Sequence, residues 1–343
     1  MLPNFDVNHL ELIRQKLSKP CQIAIVTHYK PDGDAMGSSL ALSEFLSTGN
    51  HKVSVVAPSD YPEFLKWLPG DNAVINFEFQ PAIAEQILHN AEIIFILDFN
   101  DERRVEKMEQ VLRAATKGFK IMIDHHLQPT AFCDITFSFP AASSTCELVY
   151  RFAKALDENY KPTLAFAENI YTGIMTDTGS FRFSSTTGDV HNIIADLLNA
   201  GAIPNKIHEA VYDNYSLNRT RFLGYCIKDK LVVLPEYNVA YIAVAKNELN
   251  EYEHQAGDTE GIVNYALGIK GMRMAAFFSE SENIIKISFR SKGDFSVKEL
   301  SATHFSGGGH QNAAGGKSLL TLDETIAKFI ALLPFYKNAL TAQ

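Results

Sequence analysis

Four short segments of this 343-residue chain carry imidazole and carboxylate side chains at positions where they could do chemistry. Two of these segments have ordinary structural explanations, because Pro-Asp-Gly is a common turn and a lone Asp after a strand is often a helix cap. A triplet of ionisable residues directly after an apolar strand is harder to explain, since burying such groups without a partner is costly. The residues concerned are His28, Asp32 and Asp34 in HYKPDGD, Asp98 after IIFIL, Asp124-His125-His126 after KIMI, and Asp177 in GIMTDTGSF.

These side chains have the composition of a metal centre if the fold brings them together. Two carboxylates about 4 Å apart repel by roughly 4 kcal/mol at an effective dielectric of about 20, so bound cations are needed to offset the repulsion. Mixed imidazole and carboxylate ligands suit Mn²⁺, Fe²⁺ or Zn²⁺ better than Ca²⁺ or Mg²⁺. Two such ions about 3.5–4 Å apart can activate a water molecule and hold a phosphate.

The first half of the chain alternates short apolar runs with helical patterns, which predicts an α/β fold with a parallel sheet and helices on both faces. Ligands of such sheets bind at the carboxyl ends of the strands, so the four segments are expected to converge at one edge. We also predict helices over Gly37–Thr48, Thr163–Met175 and Thr187–Asn199. The predicted strands are Gln22–Thr27, Lys52–Val56, Ile93–Leu97 and Lys120–Ile123.

The second part of the chain has a different pattern, which predicts a smaller mixed α+β domain. Its strands are expected in LVVLPEYNVAYIAVA, RMAAFF and NIIKISFRS, and its helices near Glu260–Leu267 and Leu322–Leu333. The predicted organisation is a first domain with the candidate metal ligands over residues 1–200, a linker over 201–225, and a second domain over 226–343.

A glycine-rich segment, Gly307–Gly316, contains a single histidine, His310. Consecutive glycines allow backbone N–H groups to approach a phosphate closely, as in an anion-binding nest. Arg290 lies near the end of a predicted strand, and its planar guanidinium suits bidentate phosphate recognition. A flexible linker and a solvated surface arginine are the structural alternatives for these two features.

The four segments resemble the motifs of the DHH phosphoesterase superfamily, and they occur in the same order. The matching motifs are HxxPDGDxxGS at His28–Ser38, Asp98 at a strand end, the DHH triplet at Asp124–His126, and TDTGxFRF at Thr176–Phe183. The segment GGGHxxAAG and the strand-end Arg290 resemble the DHHA1 domain, so the resemblance covers nearly the whole chain. The compact layout is similar to the bifunctional oligoribonuclease and pAp phosphatase (nanoRNase) group.

The resemblance implies two divalent metal ions, with Mn²⁺ expected, and a role for each residue of the motifs. One ion would be bound by His28 and Asp32, and the other by Asp34, His125 and Asp177, with Asp98 bridging them. His126 would contact the scissile phosphate or assist the leaving group, and Asp124 would orient an imidazole, as carboxylates near metal ligands usually do. Substrate binding is implied for Arg290, Gly308, Gly309 and His310.

The resemblance also implies substrates, namely short single-stranded RNA and 3′-phosphoadenosine 5′-phosphate (pAp). The net charge of −9 argues against binding long duplex nucleic acid, which needs many Lys and Arg contacts to phosphates. A hydrolase of cyclic dinucleotides or of linear dinucleotides such as pApA or pGpG shares every residue named above and stays an alternative. The net charge also disfavours a processive single-strand exonuclease. The Gly-rich segment disfavours a pyrophosphatase. The complete set of metal ligands disfavours a non-catalytic nucleotide sensor.

Composition and the amino terminus suggest where the protein resides. No apolar run approaches the roughly 20 residues that span a bilayer, and the first 20 residues predict an amphipathic helix rather than a signal peptide. The four cysteines are widely separated with no CxxC pair, which favours buried reduced thiols. We therefore expect a cytoplasmic protein without a membrane partner, and the sequence is compatible with a homodimer.

Overall fold

A six-stranded parallel sheet forms the centre of the first of two compact units in the computed structural model, which describes residues 5–255 and 257–342. The first unit ends at Asn214 and the second begins at Tyr215. The strands of the first sheet are β1 (Gln22–Val26), β2 (Lys52–Ala57), β3 (Ile75–Asn76), β4 (Ile93–Leu97), β5 (Phe119–Asp124) and β6 (Ile135–Ser138). Their order is β3-β2-β1-β4-β5-β6, which confirms the predicted parallel sheet.

Helices cover both faces of this sheet. They are α1 (Val7–Lys16), α2 (Gly33–Ser47), α3 (Pro81–Asn90), α4 (Glu109–Ala114), α5 (Thr145–Leu156), α6 (Leu164–Asp177), α7 (Gly188–Asn199) and α8 (Pro204–Tyr212). Short 3-10 helices span Glu63–Leu65, Asp71–Ala73 and Glu102–Met108.

Alternate side chains of β1 enter different hydrophobic cores. Ile23 and Ile25 pack with α1, α2 and α5 to α7, whereas Ala24 and Val26 pack with α3 and α4. Strand β4 alternates in the same way. Burial on both faces explains why these strands are continuous apolar runs in the sequence.

Two helices extend closer to the polar segments than the sequence predicts. Helix α2 begins at Gly33 rather than Gly37, because Asp32 caps it by accepting the backbone N–H groups of Asp34 and Ala35 at 3.0 and 3.1 Å. An Asp at this position is a strong helix start, which competes with the turn that Pro-Asp-Gly suggests. Helix α6 ends at Asp177 rather than Met175. Asp34 and Asp177 are therefore held on helices and not on loops.

The predicted linker over residues 201–225 is mostly helical. It contains α8, whose Ile207 and Val211 pack in a core of the first unit. It also contains α9 (Leu217–Tyr225), whose Phe222 packs in a core of the second unit. The second unit therefore includes residues that precede the predicted boundary at 226.

The second unit is built on a mixed six-stranded sheet, as the sequence predicts for an α+β domain. Strands β8 and β9 are parallel and the other neighbouring pairs are antiparallel, in the order β11-β12-β10-β9-β8-β7. These strands are β7 (Leu231–Leu234), β8 (Val239–Val244), β9 (Met274–Glu280), β10 (Ile285–Ser291), β11 (Gly308–His310) and β12 (Ala313–Ser318).

Helices pack on both faces of the mixed sheet. One core contains α12 and α13, and the other contains α9, a π-helix and α11. Besides α9, the helices are the π-helix Cys226–Lys230, α10 (Lys246–Glu251), α11 (Ile262–Leu267), α12 (Val297–His304) and α13 (Leu322–Thr341). A 3-10 helix spans Pro235–Tyr237. Helix α13 continues past Pro334, beyond the predicted end at Leu333.

The glycine-rich segment forms a β-hairpin rather than a loop. Gly308 pairs with Gly315, Gly309 with Ala314, and His310 with Ala313. A side chain at Gly309 would approach the backbone oxygen of Ala313 to 2.5 Å, and its φ of 139° is strained for other residues. Glycine therefore permits close strand pairing here, a role that the sequence pattern did not indicate.

The four cysteines are free thiols, of which Cys133 is partly exposed and Cys21, Cys146 and Cys226 are buried. Burial raises the pKa of Cys133 to about 12 and that of Cys226 to about 12. Thiols of this kind pack as small apolar groups and are poor nucleophiles.

The amphipathic helix predicted at the amino terminus is α1, which buries Leu10 and Ile13. Asp6 caps it by accepting the backbone N–H of His9 at 2.9 Å. The first four residues of the predicted helix lie outside the described part of the chain. Among residues 5–255 and 257–342, no helix combines the length and apolar character needed to cross a membrane.

Candidate metal centre

The carboxyl ends of β1 and β4 are neighbours at the point where the strand order reverses direction. Strands β2 and β3 lie on one side of β1, and strands β4, β5 and β6 lie on the other side. His28 follows the end of β1, and Asp98 follows β4 directly. In open α/β sheets a switch point of this kind forms a crevice in which ligands bind. The fold therefore places two of the predicted site residues at this switch point.

The backbone of Asp98 has an uncommon conformation. Its φ of 64° lies in the left-handed region, which residues other than Gly adopt infrequently. The residue is buried, with 2% of its surface exposed. Residues held in this way often occur at functional sites, where the surrounding structure supports the conformation.

One group of potential metal ligands consists of His28, Asp32 and Asp98, whose ligand atoms lie within 4.8 Å of one another. The Nε2 atom of His28 is 3.4 Å from Oδ2 of Asp98 and 4.0 Å from Oδ1 of Asp32. His28 is buried, and its Nδ1 lies 2.9 Å from the carbonyl oxygen of Tyr29. This contact leaves Nε2 directed at the carboxylates, as in a metal-binding histidine.

A second group consists of Asp34, His125 and Asp177, again with ligand atoms within 4.8 Å of one another. The Nε2 atom of His125 is 3.8 Å from Oδ2 of Asp34 and 3.5 Å from Oδ2 of Asp177. Asp34 comes from the first turn of α2, His125 from the end of β5, and Asp177 from the last turn of α6.

Asp98 lies between these two groups. Its Oδ2 atom is 3.4 Å from His28, and its Oδ1 atom is 3.5 Å from Nε2 of His125. One carboxylate oxygen therefore faces each group, which is the geometry required of a ligand shared by two ions.

Asp124 and His126 form a hydrogen-bonded pair beside these groups. Oδ1 of Asp124 is 2.7 Å from Nδ1 of His126, and its Oδ2 accepts the backbone N–H of the same residue at 3.0 Å. Asp124 is completely buried, whereas His126 is partly exposed. A carboxylate in this position fixes the orientation of the imidazole through Nδ1.

The carboxylates and imidazoles perturb one another strongly. Burial, together with the charges of Asp98 and Asp177, raises the pKa of Asp34 well above its usual value. Burial opposes ionisation of Asp98 also, but hydrogen bonds from His125 and His28 bring its pKa well below the usual value. Burial would lower the pKa of His125, but its hydrogen bond to Asp98 and the charge of Asp177 raise it well above normal.

The repulsion among these carboxylates is what a positive partner would offset. Protons on the imidazoles supply part of the positive charge, and divalent cations would supply more by displacing those protons. The donor set of imidazole nitrogens and carboxylate oxygens fits a pair of such cations, because Asp98 belongs to one group and lies 3.5 Å from His125 of the other.

Thr145 and Cys146, which the sequence patterns did not single out, contact two of the predicted ligands. Their backbone N–H groups donate to Oδ2 and Oδ1 of Asp34 at 2.6 and 2.8 Å. The hydroxyl of Thr145 donates to Oδ1 of Asp98 at 2.9 Å. Ser144 and Glu147 form an S-x-x-E pattern, which signals the start of a helix. This signal predicts α5, but it cannot indicate which side chains the helix contacts.

Arg290 and His310 lie on one row of the second sheet. Arg290 of β10 pairs with Ala313 of β12, and Ala313 pairs with His310 of β11. Side chains of directly paired residues point to the same face of a sheet, so Arg290 and His310 share a face. Gly308 and Gly309, the other predicted substrate-binding residues, are exposed on the same hairpin.

The fold and the site define an α/β protein with a candidate centre for two metal ions, and comparison with known proteins gives its family. Residues 22–174 match the DHH family N-terminal domain, and residues 236–333 match the DHHA1 domain. The chain therefore belongs to the DHH phosphoesterase family with a DHHA1 domain.

Several relatives cover nearly the whole chain. The "Bifunctional oligoribonuclease and PAP phosphatase NrnA" of Thermus thermophilus is 30% identical, over 85% of this chain and 83% of that protein. The protein of the same name from Bacillus subtilis is 28% identical, over 92% of this chain and 94% of its own length. A crystal structure of "an exopolyphosphatase-related protein" from Bacteroides fragilis is 38% identical, covers 99% of both chains and gives a TM-score of 0.94.

Proposed function

We propose that this protein is a two-metal phosphoesterase that hydrolyses short oligoribonucleotides to mononucleotides and converts pAp to AMP. The observation that carries the proposal is the position of Asp98, which directs one oxygen at each of two groups of ligands. A site for two ions is suited to displacement at phosphorus, because both the attacking and the leaving oxygen need stabilisation. The names of the relatives from Thermus thermophilus and Bacillus subtilis support the choice of substrates.

Each residue near the crevice has a defined task in this proposal. His28 and Asp32 would hold one ion, Asp34, His125 and Asp177 would hold the other, and Asp98 would contribute to both. The bound ions, expected to be Mn²⁺, supply Lewis acidity at the scissile phosphate and lower the pKa of the attacking water. A proton on Nε2 of His126, whose ring Asp124 orients through Nδ1, would pass to the leaving oxygen. A cytoplasmic location and a homodimer stay predictions from the sequence.

Metal removal followed by a substrate panel tests the proposal. Chelation should abolish hydrolysis, and Mn²⁺ should restore it together with two bound ions per chain by elemental analysis. In the restored enzyme, pAp and RNA of two to five nucleotides should be hydrolysed faster than RNA of thirty nucleotides, pyrophosphate or cyclic di-AMP. Full activity with one ion per chain would contradict the two-metal mechanism. Turnover confined to cyclic di-AMP or pApA would instead establish a dinucleotide phosphodiesterase.

The second unit is expected to bind substrate without contributing to metal binding. Arg290→Ala and His310→Ala should each lower kcat/KM for pAp and dinucleotides roughly ten- to a hundredfold, because each change removes a charge-assisted contact of about 1.5–3 kcal/mol. Hydrolysis of bis-p-nitrophenyl phosphate, which has no distal phosphate, should fall much less. Elemental analysis should show an unchanged metal content.

Lys286→Ala is the matched control, since Lys286 is a cation on the same strand and the same face as Arg290, four residues away. It should leave all these rates near the wild-type values. Equal losses on pAp and on the minimal ester would place Arg290 and His310 at the scissile phosphate. Undiminished pAp hydrolysis would remove them from the site.

A further inference from the structure

The first turn of α5 contacts carboxylates from two other parts of the chain. Oδ2 and Oδ1 of Asp34 accept the backbone N–H groups of Thr145 and Cys146, at 2.6 and 2.8 Å. Oδ1 of Asp98 accepts the hydroxyl of Thr145 at 2.9 Å. Thr145 is completely buried, and both carboxylates are nearly so. One helical turn therefore contacts Asp34, a potential ligand of one ion, and Asp98, whose two oxygens face the two groups of ligands.

This turn is itself held by several contacts. The side chain of Ser144 caps the helix by accepting the backbone N–H of Glu147 at 3.0 Å. The carboxylate of Glu147 accepts the backbone N–H of Ser143 at 2.8 Å and the Nε of Arg151 at 2.8 Å. A turn fixed in this way can serve as a rigid support, which is what the groups around a metal ligand must provide.

We propose that Thr145 is a positioning residue, whose hydroxyl fixes the carboxylate of Asp98 in the orientation that directs one oxygen at each ion. The terminal torsion of an aspartate has a broad energy minimum, so the carboxylate needs an additional contact to hold one orientation. The hydroxyl donates to Oδ1, the oxygen that faces His125, while Oδ2 faces His28. This inference rests on the proposed two-metal function.

Three variants separate the hydroxyl from the rest of the side chain. Thr145→Val keeps the size and the branch at Cβ but removes the hydroxyl, and it leaves the backbone contact to Asp34 in place. Thr145→Ser keeps the hydroxyl. Thr172→Val is the matched control, because Thr172 is a buried helical threonine of the same unit whose hydroxyl donates to the carbonyl of Glu168, at 2.8 Å.

The main measurement is Mn²⁺ binding. Its affinity is measured by calorimetric titration, and the coupling between the bound ions by electron paramagnetic resonance. A shared carboxylate couples the spins of two Mn²⁺ ions, so the wild type should give a coupled spectrum at two ions per chain. Thr145→Val should weaken binding of one ion about ten- to a hundredfold, the usual effect of a change next to a metal ligand. The variant should also lose most of the coupled signal. Its kcat should fall by a similar factor with little change in KM. Thr145→Ser and Thr172→Val should stay within about threefold of the wild type.

The outcomes distinguish this inference from the proposed function. If the wild type binds two coupled ions and Thr145→Val does so with equal affinity, only the inference is overturned. Equal losses in Thr145→Val and Thr172→Val would also overturn it, because they would show a general effect of losing a buried hydroxyl. A wild type that binds no pair of ions would overturn the proposed function. If Thr145→Val fails to fold by circular dichroism, Thr145→Ala decides the question by the same titration, with recovery in Thr145→Ser expected.

Discussion

Asp98→Asn is expected to be the most damaging single change among the six proposed metal ligands, lowering kcat/KM for pAp roughly a thousandfold. The change keeps the size of the side chain but removes the charge that faces both groups of ligands. Losing about 4 kcal/mol of charge stabilisation at the phosphate corresponds to about three factors of ten in rate. The metal content of Mn²⁺-supplied protein, measured by elemental analysis, should fall below two ions per chain.

Asp101→Asn is the matched control, because it makes the same chemical change three residues later. Asp101 accepts the backbone N–H of Arg103 at 2.9 Å and pairs with the side chain of that residue, outside the two groups of ligands. It should retain near-normal hydrolysis and two ions. Asp32→Asn, at a more exposed ligand of one ion, should have an intermediate effect. Near-normal hydrolysis by Asp98→Asn would show that Asp98 does not bridge.

The position of Asp98 illustrates what the sequence reveals about such a site. A run of five apolar residues predicts β4, the parallel pattern predicts the sheet, and the strand-end rule then places Asp98 at the crevice. The same reasoning applies to His28 and to Asp124-His125-His126. These inferences succeed because they depend on local patterns and on a general property of parallel sheets.

Other features depend on contacts between distant residues, which local patterns do not encode. Thr145 contacts Asp98, which is 47 residues away in the sequence, and Asp34, which is 111 residues away. The start of α2 at Gly33 is a different case, because two local signals of Pro-Asp-Gly, a turn and a helix cap, compete there. The hairpin of Gly308 and Gly309 depends on strand β12 lying beside it, which a glycine-rich composition cannot indicate.

A second large effect is expected from His126→Ala, which should lower kcat for pAp and dinucleotides about a hundred- to ten-thousandfold, the usual range for a general acid. Metal content should stay at two ions per chain, because His126 is not among the six proposed ligands. Hydrolysis of bis-p-nitrophenyl phosphate should fall far less, since p-nitrophenolate leaves without being protonated. His89→Ala, at an exposed histidine on α3, should change none of these values.

Asp124→Asn tests whether Asp124 acts through His126. Asp124 is buried and contacts both Nδ1 and the backbone N–H of that residue, so its loss should allow the imidazole to change tautomer or orientation. We expect about a ten- to a hundredfold loss of kcat on pAp, a small loss on the minimal ester, and no further loss when the change is added to His126→Ala. Additive losses in the double variant would show that Asp124 contributes independently of His126. Equal losses by His126→Ala on pAp and on the minimal ester would show that His126 stabilises the phosphate instead of protonating the leaving oxygen.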